Sequence, residues 1–303
     1  MQTGRSKWGS AVAVAALLQA GCSAAPRSRF PTGDAALERM HATYECSRGV
    51  GGEAKLDYFG EEGRVRGDLL YLAVLPEQLR MDVYSPFGAI LSTLTSDGKD
   101  FSLYDLEHAT MLHGPASACN VARFTRVPVP PFALVQLLRG ESPVLVHTPE
   151  TIRVRWKHPL FQAGFYRLTI ESRHDASQQI DLLPLAADLD KPWSEQRVKV
   201  LRVVVRQHGR VLYSVELRGH RPGRTDDPFV DPDGLSPNVP PSGPPCDAPL
   251  PDRVRFVVPD AGQELIFDNA KIGEDVVHNP TLRGDEFEQA VPDGVRVVYA
   301  ECS

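Results

Sequence analysis

Period-two alternation, repeated along most of the chain and broken by turn signals, constrains the fold more than any other feature. Leu79, Met81 and Val83 alternate with Arg80, Asp82 and Tyr84, a turn at Ser85-Pro86-Phe87-Gly88 leads into Ile90 to Thr95, and Asp97-Gly98 precedes Phe101, Leu103 and Tyr104. Successive side chains of a strand point to opposite faces, so this pattern predicts strands with one apolar face, and the Asp-Gly turn predicts antiparallel pairing. The alternation begins near Arg48 and returns in Ile152 to Trp156, Tyr166 to Ile170, and Leu201 to Leu217 around His208-Gly209, with arginine recurring at polar positions. An antiparallel meander is expected.

Two stretches depart from this period. Leu37, Met40, His41 and Tyr44 recur at helical spacing behind Asp34, which is the expected N-cap; His41 reads as a core-edge residue rather than a ligand. Ala118 to Phe124 and Pro131 to Leu138 break the run of strands. Phe132, Leu134, Leu137 and Leu138 take the apolar positions of a short helix ending at Gly140, placed to cover an open apolar sheet face. Asp226 to Pro251 is dense in Pro, Gly and Ser and reads as a long loop. The expected organisation is one domain over 33–225, this loop over 226–251, and strands over 252–303 that complete the same domain.

The first residues address the chain to an export pathway. Arg5 and Lys7 precede an apolar run from Ala11 to Leu18 that is too short to span a bilayer, and Leu18-Gln19-Ala20-Gly21-Cys22 resembles a bacterial lipobox. Residues 1–21 are expected to be removed as a lipoprotein signal peptide, leaving Cys22 lipidated at the head of a tether over 22–32. Ser23 stands where an Asp would signal retention at the inner membrane, which favours the outer membrane, facing the periplasm. The remaining cysteines, Cys46, Cys119, Cys246 and Cys302, have no metal or redox spacing, and an oxidising compartment favours two disulfides. Three pairings are open; the local one, Cys46 with Cys119 and Cys246 with Cys302, is expected because each pair flanks a strand-rich block. Each bridge would then contribute about 4 kcal/mol by loop closure.

Other function classes leave no trace. The net charge is −6 with both signs interspersed and no Lys/Arg run, so the footprint of a nucleic-acid binder is missing. The nine histidines are scattered, with no zinc-protease spacing, nucleophile elbow or phosphate-cradling glycine loop. No catalytic residue, metal site or cofactor is expected. Asp226, Asp227, Asp231 and Asp233 form an acidic cluster without Ca²⁺-loop spacing and read as a solvated loop.

Leu79 to Gly88, then Leu94-Thr95-Ser96-Asp97-Gly98, then Pro128-Val129-Pro130 ahead of Leu134 to Gly140 resemble, in order and spacing, the LolA/LolB lipoprotein-carrier family, best over Gly33 to Gly219. The resemblance implies a mainly β fold with a few helices: a strongly curved, unclosed antiparallel barrel whose apolar concave face is capped by helices and takes up acyl chains. It implies acylated lipoproteins or lipids as cargo, a periplasmic LolA-like carrier as partner, and a membrane-contact loop at Pro86, Phe87 and Gly88. The chemistry needs such a container, since each acyl CH₂ in water costs about 0.8 kcal/mol. The expected function is therefore an outer-membrane lipoprotein that binds acyl chains and helps localise their bearers. The alternative is a non-catalytic structural or interaction lipoprotein of the envelope that uses the same sheet as a filled scaffold.

Overall fold

The structure is a computed structural model that describes residues 25–61, 63–85, 87–159 and 163–301. The signal segment, Cys22, Pro86 and Cys302 lie outside the described residues. In chain order come α1 (Gly33–Tyr44), β1 (Gly49–Gly60), β2 (Gly63–Val74), β3 (Gln78–Tyr84), β4 (Ile90–Ser96), β5 (Asp100–Asp105), β6 (Thr110–Pro115), α2 (Ala118–Thr125) and α3 (Pro131–Leu138). Then follow β7 (Ile152–Lys157), β8 (Phe165–Glu171), β9 (Ala176–Pro184), β10 (Val198–Gln207), β11 (Arg210–Arg218), β12 (Arg221–Pro222), β13 (Pro249–Leu250), β14 (Arg253–Val258), β15 (Gln263–Asn269), β16 (Val276–His278) and β17 (Arg296–Tyr299).

Apart from the small β12–β13 ladder, the described strands form one fifteen-stranded sheet in the order β17-β6-β5-β4-β3-β2-β1-β15-β14-β11-β10-β9-β8-β7, with β16 also on β1. Neighbours run antiparallel except β17, which lies parallel to β6. The two edges, β17 and β7, do not pair, so the curved sheet stays unclosed, as the family resemblance implied; the antiparallel meander is the one the alternation predicted. His208 and Gly209, both at positive φ (49° and 75°), make the expected two-residue turn between β10 and β11.

One face is apolar throughout. Tyr71, Leu79, Met81, Leu94, Phe101, Leu168, Phe256 and Phe267 are fully buried on it. The helices cover that face: α1 against β7 and β10, α3 against β2 and β3, α2 against β5. Thr32, not Asp34, is the N-cap of α1, its hydroxyl accepting from Ala35 N at 3.1 Å, while Asp34 sits in the first turn beside the helix's positive end. From α1, Leu37, Met40 and Tyr44 enter the core; His41 stays half-exposed and holds Glu141 Oε1 at 2.6 Å. In α3, Leu134, Leu137 and Leu138 are buried together with Val135, whereas Phe132 turns outward, 42% exposed, because its position falls on the opposite side of a two-turn helix.

The opposite face is a ladder of cross-strand ion pairs. Arg64 and Arg66 meet Asp57, Arg253 meets Asp268, Arg255 meets Glu264, and Arg167 meets Asp181. The Arg64 guanidinium holds the Asp57 carboxyl below its ordinary range. Arg66 and Asp57, Arg253 and Asp268, and Arg167 and Asp181 sit directly opposite each other on neighbouring strands, Arg64 and Asp57 and Arg255 and Glu264 diagonally. Such pairs favour one register over a slip that would turn the charges inward.

The disulfide differs from the expected local pairing. Cys46 is bonded to Cys246, 200 residues away, with Cα atoms 5.2 Å apart. The reason lies in the sheet order: β14 and β15 insert between β11 and β1, which brings the chain before β13 to the exit of α1. Cys119 is itself disulfide-bonded, and its partner lies outside the described residues.

Candidate functional site

The sheet register sorts the connections onto two ends with different chemistry. One end collects the β1–β2, β3–β4, β5–β6, β8–β9, β10–β11 and β14–β15 turns. The other collects the exit of α1, the disulfide and the Pro-rich run.

The first end is an apolar rim. Phe87 at its tip is 97% exposed, and Phe59, Ile90, Leu91, Leu106 and, further along the sheet, Leu212 are exposed at the same end. The β3–β4 loop is built to hold Phe87 out. Ser85 Oγ accepts from Phe87 N at 3.3 Å and from Ala89 N at 3.2 Å, Gly88 N donates to Ser85 O at 2.9 Å, and Gly88 takes a positive φ of 79° that a side chain would resist. Leu91 and Leu212 each occupy a β-bulge. Tyr84 pairs with Ile90 and Val83 with Ser92, leaving Leu91 unpaired; Arg206 pairs with Val211 and Val205 with Tyr213, leaving Leu212 unpaired. A bulge re-aims a side chain, and both aim a leucine to the surface at the same end of the sheet. Leu106 N donates to Leu91 O at 3.1 Å, joining two of these loops.

Beside the rim, Ser85 and Gly88 wall a groove of about 660 Å³ on the outer face, floored by the Ala54–Leu69 level of β1 and β2 with Lys55, Asp68, Leu70 and Tyr84 on it. Below the rim the concave face is filled by its own side chains. Met40, Tyr44, Leu137, Leu138, Met81 and Leu94 are each fully buried. The small residues Ala54 and Ala89 leave no common opening on that face, since Ala54 is buried inward and Ala89 is exposed in the loop.

The second end is closed by a buried polar knot. Arg139 Nε donates to Ser47 Oγ at 3.2 Å, Nη1 to Glu141 Oε2 at 3.0 Å, and Nη2 to the carbonyls of Tyr44 (3.0 Å) and Ser47. Burial lowers Arg139's affinity for its proton, while Glu141 acts to hold the charge. Asn279 Nδ2 donates to Cys46 O at 2.9 Å and Pro244 O at 2.6 Å. The Pro-rich run is tied down here as extended bridges, Thr225 to His278, Phe229 to Val239 and Pro241 to Thr281. Its carboxylates are engaged locally, Asp231 with the Asp233 and Ser236 amides and Asp227 with Arg224, and no metal-ligand cluster occurs among the described residues.

Sequence reasoning singled out Phe87 and missed Leu91, Leu106 and Leu212. The available signal was the pair of adjacent apolar residues, Ile90-Leu91 and Val211-Leu212, inside otherwise alternating strands. Of the expected lid residues, Leu134, Leu137 and Leu138 lie under the sheet and away from the surface.

No protein-family model and no curated protein matches this chain. Among solved structures, a DUF1329 family protein from Desulfovibrio piger superposes with a TM-score of 0.53 at 12% identity, over 84% of this chain and 95% of that one; at this identity the likeness is one of fold. The chain is less closely similar to a putative outer membrane lipoprotein-sorting protein domain from Vibrio parahaemolyticus (TM-score 0.49, 12% identity, 85% and 96% covered). A LolA superfamily protein from Nitrosomonas europaea stands at a TM-score of 0.48 and 10% identity, with 85% and 98% covered. No helix among the described residues is long and apolar enough to cross a membrane.

Proposed function

We propose that this chain is a lipid-anchored protein of the cell envelope that lays the open end of its half-barrel on a membrane and handles acyl chains there. The observation that carries this reading is the apolar rim: Phe87 held out by Ser85 and Gly88, with two bulged leucines at the same end. Exposed apolar side chains gathered at one end of a sheet mark a membrane or partner contact. Burying one phenylalanine in the acyl boundary is worth about 1.5–3 kcal/mol, and the neighbouring leucines add to it. With Cys22 acylated, the chain would have two membrane contacts, which together make anchoring stable where one is marginal. In this reading the cargo is an acylated lipoprotein or lipid passed on by a LolA-like periplasmic carrier and localised to the outer membrane. Because the concave face is filled, acyl chains enter only as α1 and α3 move off the sheet.

That filled interior also favours a second reading, an envelope scaffold whose rim docks on a membrane without taking up cargo. Native mass spectrometry of the form lacking residues 1–22, expressed in a periplasm, separates the two. Bound lipid or acyl-peptide that survives dilution and leaves on detergent wash supports cargo binding. A clean apo mass, with no uptake of added acylated peptide, moves the reading to the scaffold.

A further inference from the structure

At the closed end, on the outer face and remote from the apolar rim, a small pocket of about 170 Å³ lies between the start of β10 and the β12–β13 ladder. Arg197, Lys199, His220, Arg221 and Asp247 contribute its polar lining. Lys199 stands between the inward Val198 and Val200, so its side chain leaves the outer face of β10. Burial destabilises its ammonium, and no ion pair to a carboxylate is made among the described residues. His220 Nε2 is buried with no hydrogen-bond partner.

The two arginines reach the pocket with donors to spare. Arg221 spends only Nε, on the Asp252 carboxylate at 3.0 Å, and its two Nη groups make no hydrogen bond among the described residues. Arg197 spends Nε on Asp188 at 3.1 Å and Nη1 on Asp247 at 3.4 Å, leaving Nη2. Asp247 is the one acid of the lining, and its side chain is 79% exposed and turned to Arg197 rather than to Lys199. The Lys199 ammonium is paired with no carboxylate among the described residues, and the His220 ring nitrogen is buried without a partner. A hydrogen phosphate answers both, its free oxygens accepting from the ammonium and its P–OH donating to the bare nitrogen.

We infer that this pocket binds a small oxyanion of the phosphate class, gripped by Lys199, Arg221 and Arg197 with His220 at its wall. A tetrahedral oxyanion suits this donor set, which approaches from three separate side chains, better than a carboxylate that two parallel donors saturate. The inference does not rest on the acyl-chain reading and survives its failure. The phosphate can come from a lipid headgroup or be free in solution.

Isothermal titration of inorganic phosphate into the chain lacking residues 1–22, at constant ionic strength, tests the site together with the His220 ring-nitrogen NMR signals. Saturable binding that moves the His220 signals is expected. Lys199→Met and Arg221→Gln should each weaken it tenfold or more, and Lys99→Gln, on an exposed turn elsewhere, should leave it within twofold. Lys199-dependent binding to phosphatidylglycerol vesicles that phosphate competes away would identify a headgroup; phosphate binding without vesicle binding would identify a free anion, and either supports the site. No saturable phosphate binding, still His220 signals, or full affinity in a folded Lys199→Met chain overturns it.

Discussion

Ser47 Oγ lies 2.9 Å from His278 Nδ1, joining the exit of α1 to the last strand on β1 across 231 residues of chain. On the other side of the ring, His278 Nε2 lies 2.9 Å from Ala248 O. A carbonyl only accepts, so Nε2 carries the proton and Nδ1 is the bare nitrogen that takes the Ser47 hydroxyl hydrogen. Arg139 Nε donates to the same Ser47 oxygen. The arrangement resembles a nucleophile with its base, but both residues are fully buried. It fastens four distant segments at the closed end.

This imidazole makes stability depend on pH. Burial pushes His278 down to about 4, and burial and Lys199 push His220 down to about 3. Both sit below the ordinary value of 6.5, so the unfolded chain binds more protons as pH falls through 6.5. Their contribution is complete above pH 6.5 and drains away toward 4. Urea unfolding at pH 7 and 4.5 should differ by roughly 2–3 kcal/mol from His278 alone. A flat profile over that window would contradict the buried neutral ring.

Arg139→Met should cost about 3–5 kcal/mol in urea unfolding, because it strands Glu141 and two backbone carbonyls in the interior. The double change Arg139→Met with Glu141→Leu should cost less than the sum of the single changes. Arg139→Lys should not restore the wild-type value, since an ammonium cannot reach acceptors on both sides of a planar fork.

Breaking the Cys46–Cys246 bond with Cys46→Ser and Cys246→Ser together frees a 200-residue loop. By chain entropy this removes up to about 5 kcal/mol. The loss should appear as a lower urea midpoint; an unchanged midpoint would mean that the polar knot alone holds the closed end.

Phe87→Glu should leave the urea midpoint within error, as expected of a side chain 97% exposed. Co-sedimentation with vesicles should fall about tenfold or more, the equivalent of one lost aromatic contact. Leu91→Glu and Leu212→Glu should act in the same direction. Undiminished vesicle binding in all three would sink the membrane-rim reading.

The local order of this protein was legible without coordinates. Alternation at 79–84, the His208-Gly209 turn and the helical spacing of Leu37, Met40 and Tyr44 each express where neighbouring side chains point, which is a property of a few consecutive residues. Those same signals imply an antiparallel sheet with one apolar face; its curvature was implied by the family resemblance. Which strands are neighbours is a different matter. β14 and β15 enter between β11 and β1 through backbone hydrogen bonds that any residue can make, so nothing in their side chains announces the position. The Cys46–Cys246 pairing, the knot around Arg139 and the gathering of Leu91, Leu212 and Phe87 at one end all follow from that insertion and from two bulges. Sequence determined the strands and their faces by local geometry; only the tertiary structure decided their order, because order is set by long-range closure of the whole sheet.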